Sequence, residues 1–465
     1  MSMAPYDRRL MGYVFHVRFW SVWILLALSG ASGLPQQVAP LTLRDAVAIS
    51  LGRNPDREVA RTEVDLARSG SRLARTALLP NLMFREAVTR GNDPVYVFGT
   101  RLRQQGFMQN DFVLNRLNRP TPINDFATHF SGNWMAFDSW HTQFEIRRSD
   151  LLVKSYSVAA ARSDQSIIFR TVEAYESILF GMRQVEVLQH NAETAKALLF
   201  LSETRVEAGL AVDADKLTAA AYLAERQQEL IAAQGRVQIA LSELEVAMGA
   251  SIPAGQRLLV PLTERRFDGE PLDQAVDLAL KSRPDRQSLA LQRDAQSAAV
   301  QSAKSAFGPQ INTFGSWETD RPSLANSGGN NWIAGAELRI DILPAAKREN
   351  LAAARIGLRR ADAASASADQ QIRMEVTRAY YEHQSAEQML VVARASMSQS
   401  EDSLRILQDR YQAGLATMTD LLRVEDADRQ SHANYWQAVF RNTLTYAKLR
   451  LAEGTLTQDI AGDLQ

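Results

Sequence analysis

Apolar residues recur along this chain with two different periods, and the order of the periods repeats once. From Leu43 to Leu79 apolar and polar positions alternate at helical spacing, interrupted near Asn54-Pro55. Pro80 stops that segment, because proline removes a backbone donor and clashes with the preceding turn. Leu272 to Phe307 repeats the pattern and ends at Gly308-Pro309. After each proline the period falls to two. In Trp332 to Ile342, residues Trp332, Ala334, Ala336, Leu338, Ile340 and Ile342 share one face, while Gly335, Glu337, Arg339 and Asp341 share the other. That length fits the roughly 9–11 residues of a membrane-spanning strand, with Trp332 where an interfacial aromatic sits. Its partner, Ile311 to Glu318, is shorter and carries Trp317. The first half offers Leu82 to Thr89, then Phe126 to Phe137 with Phe126, Phe130 and Trp134 on one face. A water-soluble sandwich strand alternates in the same way, so the strands alone leave both readings open.

The remaining segments are long helices with a stronger pattern. Val185, Leu188, Ala192, Ala195, Leu199, Ser202 and Val206 are spaced by alternating threes and fours, and Leu390, Ala393, Met397, Ser400, Leu404, Leu407 and Tyr411 keep that spacing. This heptad seam is small (Ala, Ser) as often as large, which suits closely packed helices in a sheet-like array. A helix from about Ser139 to Gly209 rises ~1.5 Å per residue and reaches on the order of 100 Å, too long to bury itself in one globular domain. Gly209 and Gly414 supply the left-handed position that ends such a helix. Asp213, and Thr417 or Thr419, are candidate N-caps for the returning helices.

The two halves are copies. Arg205-Val-Glu-Ala-Gly-Leu210 matches Arg410-Tyr-Gln-Ala-Gly-Leu415 at an offset of 205, with Asp215 and Asp420 each six residues beyond the glycine. Upstream, Asn54-Pro55-Asp56 matches Arg283-Pro284-Asp285 and Pro80 matches Pro309 at an offset of 229, so the first copy carries 229 − 205 = 24 extra residues before Ala174. Such a repeat fixes the architecture before any motif does. The excess falls between the first two strands. It opens at Gly91-Asn-Asp-Pro94, closes at Asn118-Arg-Pro-Thr-Pro122, and is too apolar between them for a solvated linker, which predicts an ordered insert that packs on something.

Composition narrows the setting. Net charge is −1, so no strong field recommends nucleic acid, and there is no cysteine, which excludes disulfides, thiolate metal sites and a lipid-bearing cysteine. Arg8, Arg9 and Arg18, then the apolar run Phe19 to Leu28, then Ser29-Gly-Ala-Ser-Gly33, have the order of an export signal, predicting 1–33 as a signal peptide. The expected organisation is a first repeat over 34–249, with strands at about 82–90 and 126–138, an ordered loop insert at about 91–125, and long helices at about 139–209 and 213–249. A linker over 250–270 follows. The second repeat then covers 271–454, with strands at about 310–318 and 331–342 and helices at about 344–413 and 417–453, and a tail over 455–465 closes the chain.

The ordered, duplicated set resembles the TolC-like outer-membrane efflux proteins. It comprises the Leu43 and Leu272 repeat starts, the Asn54-Pro55 and Arg283-Pro284 corners, the Pro80 and Pro309 helix exits, and the tips Arg205…Gly209…Asp215 and Arg410-Tyr411…Gly414…Asp420. The resemblance implies a mainly α fold with a membrane β-barrel portion, embedded in outer-membrane lipid and extending into the periplasm. It implies a homotrimer with a shared twelve-stranded barrel and a twelve-helix tunnel. It further implies a periplasmic adaptor and an inner-membrane pump of RND, ABC or MFS type, for which the chain is a passive exit duct of efflux or type I secretion. For the tip it implies a periplasmic gate in which Tyr411 hydrogen-bonds Asp215 and Asp420 contributes to an aspartate ring. It also places adaptor-docking tips at Arg205, Gly209, Leu210, Arg410, Gly414 and Leu415, and interface aromatics at Trp134, Trp317 and Trp332. Two residues depart from the family pattern: Arg423 stands where a second ring aspartate is often found, and Ala416 where a gating arginine occurs. One helical turn from Asp420, Arg423 is within pairing reach. Asp215 and Asp420 also suit a plain first-turn role at a helix dipole, and Tyr411 continues the packing seam.

Two other classes fit the sequence less well. An enzyme is disfavoured: the six histidines (His16, His129, His141, His190, His383, His432) show no metal-binding spacing, and no nucleophile elbow or phosphate loop occurs, so no cofactor or metal is expected. Glu382-His383 reads as a solvated helix face. A soluble periplasmic coiled-coil adaptor would carry one helical hairpin between small β-domains rather than a whole-chain duplication.

Overall fold

The computed structural model describes residues 40–253, 261–267, 269–459 and 464; the signal peptide expected over 1–33 lies outside them. The first copy runs α1 (Leu43–Arg53), α2 (Pro55–Thr76), β1 (Asn81–Gly91), α3 (Pro94–Arg103), a 3₁₀ turn at Gln109–Phe112, α4 (Leu114–Asn118), β2 (Ile123–Phe137), α5 (His141–Glu207) and α6 (Asp213–Met248). The second runs α7 (Leu272–Ser282), α8 (Pro284–Ser305), β3 (Gln310–Arg321), β4 (Gly329–Arg339), α9 (Ala345–Gln412) and α10 (Met418–Glu453). No described helix is long and apolar enough to cross a membrane.

Prolines place the corners. Pro55 and Pro284 open α2 and α8 at their first positions, where a missing N–H costs nothing. Asn54 caps α2, its Oδ1 accepting from the Asp56 amide at 2.8 Å while its Nδ2 donates to the Ala247 carbonyl at 2.7 Å. The end of α6 is thereby held against that corner. Gly249, at φ +63°, completes the contact: a Cβ there would meet the Arg53 carbonyl and the Asn54 Cα. Gly454, at φ +76°, lies in the same way against Arg283. The second corner lacks a side-chain cap, and Arg283 is instead buried and paired with Asp285 at 2.5 Å and Glu375 at 2.6 Å. The copies share a backbone and stabilise it by different means.

The strands form one antiparallel sheet in the order β1-β2-β3-β4. Phe84, Phe130, Trp317 and Trp332 are register partners in one row across all four strands. Leu82, Trp134, Ile311, Ala334, Ala336 and Leu338 share that face. The opposite face carries Arg85, Asp125, His129, Ser131, Asn133, Ser316, Glu318 and Glu337. The first face also carries Glu86, Thr128 and Arg321 toward the hairpin end, and the second also carries Met83, Phe314 and Ile333; the balance is apolar on one side and polar on the other, as in a membrane barrel wall. Both hairpin connections, the first carrying α3 and α4, leave from one end of the sheet, and the other helices from the opposite end.

Five expectations need correction. β2 begins at Ile123, inside the span assigned to the insert, and the insert is helical rather than a loop. β3 continues to Arg321, beyond 318. β4 covers 329–339 instead of 331–342: Asp341 is drawn to Lys347 in the first turn of α9 at 2.8 Å, which takes Ile340 and Ile342 out of the ladder. His383 is not on a solvated face. It is buried, 4% exposed, beside Thr445, Phe267 and Tyr446, because α10 packs over that side of α9. Burial, helped by Arg450, lowers its pKa to about 4, so it is neutral at ordinary pH.

The helices lie side by side. Near the sheet the row is α2-α5-α8-α9; toward the far end it is α6-α5-α10-α9. Small residues permit the close approach, as where the Ser155 and Ser288 hydroxyls meet at 2.9 Å. Every seam position in α5 and α9 is buried or half-buried.

Two stability tests follow from these contacts. Gly249→Ala and Gly454→Ala each force a Cβ into a backbone contact at positive φ, the φ cost alone being about 1–2 kcal/mol; the helical circular-dichroism signal is expected to melt at lower temperature in both. The lowered folded pKa of His383 means the unfolded imidazole binds a proton that the folded one refuses, so stability falls as pH drops from the ordinary 6.5 through about 4. Melting temperatures of His383→Gln are expected to depend less steeply on pH over that window than those of the unchanged chain.

Candidate functional site

The far end of the helices is formed by two similar turns. At the end of α5, Gly209 sits at φ +74°, the Gly209 amide donates to the Val206 carbonyl at 3.0 Å, and the Leu210 amide reaches back to the Arg205 carbonyl at 2.8 Å. At the end of α9, Gly414 at φ +74°, Tyr411 and the Leu415–Arg410 pair repeat the geometry at 3.0 and 2.8 Å. This double bond over a left-handed glycine is the Schellman helix end, and it accounts for the repeated Arg…Ala-Gly-Leu in backbone terms. Leu210 and Leu415 project as exposed apolar knobs.

The starts of the returning helices differ. Thr417 caps α10 with a full capping box: its hydroxyl donates to Asp420 Oδ2 at 2.6 Å and accepts from the Asp420 amide at 3.2 Å. Arg423 donates to the other carboxylate oxygen, Oδ1, at 3.1 Å. The Thr417 hydrogen bonds, with Arg423 and Arg410 beyond them, hold the Asp420 carboxyl below the usual carboxylate range. α6 has no such cap. Val212 rather than Asp213 is its N-cap, and Asp213 and Asp215 lie inside the first turn as acids at the positive end of the helix dipole.

Tyr411 is 5% exposed, in a cluster with Ala195, Leu198, Ala219, Tyr222, Met418, Leu421 and Leu422. Arg205 covers it. The guanidinium lies 5.0 Å from the ring centre, and Nη1 donates to the Tyr411 carbonyl at 3.2 Å. No hydrogen bond between the Tyr411 hydroxyl and Asp215 occurs among the described residues. Burial raises the Tyr411 pKa; Arg205 opposes that and Asp215 adds to it, so both charges are near the ring. The arrangement ties the first helical hairpin to the second through an arginine and a ring instead of through a hydroxyl and a carboxylate. The repeated arginine has divided roles: Arg205 holds Tyr411, and Arg410 faces Asp420.

One tie escaped the sequence reading. Arg226 in α6 is 1% exposed, lies 4.8 Å over the Tyr222 ring, and pairs with Glu225 at 2.8 Å, Glu229 at 3.0 Å and, across to α10, Asp426 at 3.4 Å. Its signal was present: Ala219, Ala233 and Ala240 occupy the same face at seven-residue steps and are all buried, so a charge at position 226 interrupts a seam of alanines.

At the sheet, Trp317 and Trp332 face each other across β3 and β4. Trp134 lies lower on β2 and donates its indole N–H to the Leu78 carbonyl at 3.0 Å. The described residues contain no group of three or more metal-ligating side chains placed to hold a metal.

Comparison with known proteins agrees with this layout. The outer membrane efflux protein family matches residues 275–455, which is the second copy. The alkaline protease secretion protein AprF of Pseudomonas aeruginosa is 24% identical across 97% of this chain and 90% of its own length. The outer membrane protein TolC of Vibrio cholerae is 30% identical over 161 residues, 35% of this chain and 36% of its own. Among solved structures, CusC superposes with a TM-score of 0.76 at 16% identity, over 89% of this chain and 92% of that one. The CmeC outer membrane channel of Campylobacter jejuni gives 0.74 at 17%, over 91% and 89%. The likeness to CusC and CmeC establishes the fold.

The tie at the tip is testable. A cation–π contact of this kind contributes about 1–2 kcal/mol when partly desolvated, a factor of about 5–30 in a two-state population. Arg205→Ala is expected to raise single-channel conductance in planar bilayers by favouring the untied hairpin, with Asp215→Ala close to the unchanged chain. The opposite ranking would assign the tie to the carboxylate.

Proposed function

We propose, from the premise that this chain belongs to the TolC-like outer-membrane efflux protein family, that three copies close into one duct through which cargo leaves the cell. The chain is an outer-membrane channel component of efflux or type I secretion. The proteins it is similar to are channels, and on our reading the duct performs no chemistry and is energised by its partners.

The observation that carries trimer closure is an unequal stripe in the two copies. In α2, Val59, Leu66 and Leu73 recur at seven-residue steps and are 58%, 74% and 71% exposed. At the repeat offset their counterparts in α8 are Ser288, Ala295 and Ser302, all buried. α8 uses that face to pack on α5 inside the protomer. α2 has the same face with larger side chains and no neighbour inside the protomer to cover it, while α9 stands at the other end of the row. Docking of α2 on α9 of the next copy reproduces the α8–α5 contact and continues the row without a break.

Strand arithmetic favours three copies. The sheet has edges at β1 and β4, and an edge facing lipid leaves backbone donors and acceptors unpaired. Two copies would give eight strands, whose interior side chains fill; three give twelve, enough for a lumen. The chain's surface of 30406 Å² also far exceeds the ~17,000 Å² of a compact monomer of its mass.

At the periplasmic end, Leu210 and Leu415 on rigid Schellman turns offer the adaptor an apolar pair of knobs flanked by Arg205 and Arg410. The Arg205–Tyr411 tie, with Asp215 beside it and Asp420 paired to Arg423, forms the closed gate. Because Arg423 already neutralises Asp420, cation selection at this entrance is weaker than a bare aspartate ring would give.

Leu66→Glu with Leu73→Glu should abolish the trimer on native gels and the channels in planar bilayers, while the helical content of the protomer persists. A trimer that survives both charges would sink the α2–α9 closure.

A further inference from the structure

The 24-residue excess of the first copy has a defined place in the fold. α3 has a buried inner edge, Val97 and Thr100, and an outer aromatic chain in which Phe98, Phe107 and Phe112 meet edge to face at 4.9 and 5.0 Å. Its C-terminal end is fixed to the sheet by polar contacts. Gln104 Nε2 donates to the Asn124 carbonyl at 2.9 Å and to Asp125 Oδ1 at 3.0 Å. Arg103 pairs with Glu318 at 3.7 Å, and its carbonyl accepts from Asn331 Nδ2 at 3.2 Å. Gly329 at the start of β4 lies so close that a Cβ there would collide with the Arg103 carbonyl and the Gln105 side chain. Gln105 is itself held at φ +54°, where glycine is the usual residue.

The side chains that receive these contacts share one face. Asp125, Glu318 and Asn331 alternate with the apolar row and belong to the polar side of the sheet, as does the completely buried Asp320, which none of these contacts reaches. They also lie at its hairpin end, away from the helices. We propose that this insert is a lid on the lumenal face of the outer mouth, a second constriction that limits the width of what leaves the duct. Three copies would bring three lids around the exit, each latched to its own wall by Arg103 and Gln104. The proposal rests on the barrel reading, because only a closed barrel makes the polar face a lumen.

The absence of cysteine allows a clean accessibility test on intact cells. Ser316→Cys places a thiol on the lumenal face, two residues closer to the periplasm than Glu318, and Trp317→Cys places one on the lipid face beside it. With the insert intact, a small sulfonated maleimide added outside is expected to label Ser316→Cys, while a branched PEG-maleimide fails to. Replacing residues 92–122 with a short Gly-Ser hairpin should admit the PEG-maleimide. In the full-length chain, Arg103→Ala with Gln104→Ala should do so in part, which keeps the test valid if the shortened chain does not assemble. Labelling of Ser316→Cys by PEG-maleimide in the otherwise unchanged chain, with Trp317→Cys silent, would overturn the lid. No gain of PEG-maleimide labelling in either opened variant, at unchanged reaction with the small reagent, would overturn it too. If the small reagent labels Ser316→Cys and Trp317→Cys equally, the barrel itself fails and the lid with it.

Discussion

Every backbone donor and acceptor that faces lipid needs a partner, and in this chain that requirement governs the assembly. A four-stranded sheet meets it everywhere except at β1 and β4, and among the described residues no further strand pairs with those edges. Adding strands from further copies is the solution that uses only hydrogen bonds the sheet already makes. The helices obey a related constraint. α5 and α9, 67 and 68 residues long, reach about 100 Å and bury only part of their circumference within the protomer. Both layers therefore end in open edges within the protomer, and on the proposed reading one rotation closes both.

Duplication supplies the geometry, and divergence supplies the differences in role. The glycines at 249 and 454, the prolines at 55 and 284 and the Schellman turns at 209 and 414 are equal in both copies because they answer to backbone conformation. Side chains at equivalent places have separated. α2 carries large residues where α8 carries serine and alanine, and that face is exposed in α2 and buried in α8. Asn54 caps its helix, while Arg283 is buried between carboxylates. Arg205 covers a tyrosine, and Arg410 faces an aspartate.

The architecture was legible in the sequence because it is written in periods and breakers: prolines that end helices, a seam of threes and fours, an alternation of two, and their recurrence at a fixed offset. Boundaries were less legible where a tertiary contact overrides the pattern, as when Asp341 turns toward Lys347 and shortens β4. Side-chain roles were the least legible. Whether Tyr411 is held by a carboxylate or by Arg205 depends on the relative height of two helical hairpins, which no local pattern encodes. His383 looked solvated beside Glu382 because Thr445 and Tyr446 of α10, which help bury it, lie 62 and 63 residues further along the chain. Arg226 could have been found, since a charge at a heptad position between alanines must be paired or excluded.

The central claim is that two open edges close by a threefold rotation, and the mass of the intact particle tests it most directly. Native mass spectrometry of the wild-type protein extracted in mild detergent is expected to show three copies of the chain and no stable smaller species. A particle of one or two copies that still forms channels in bilayers would contradict the account.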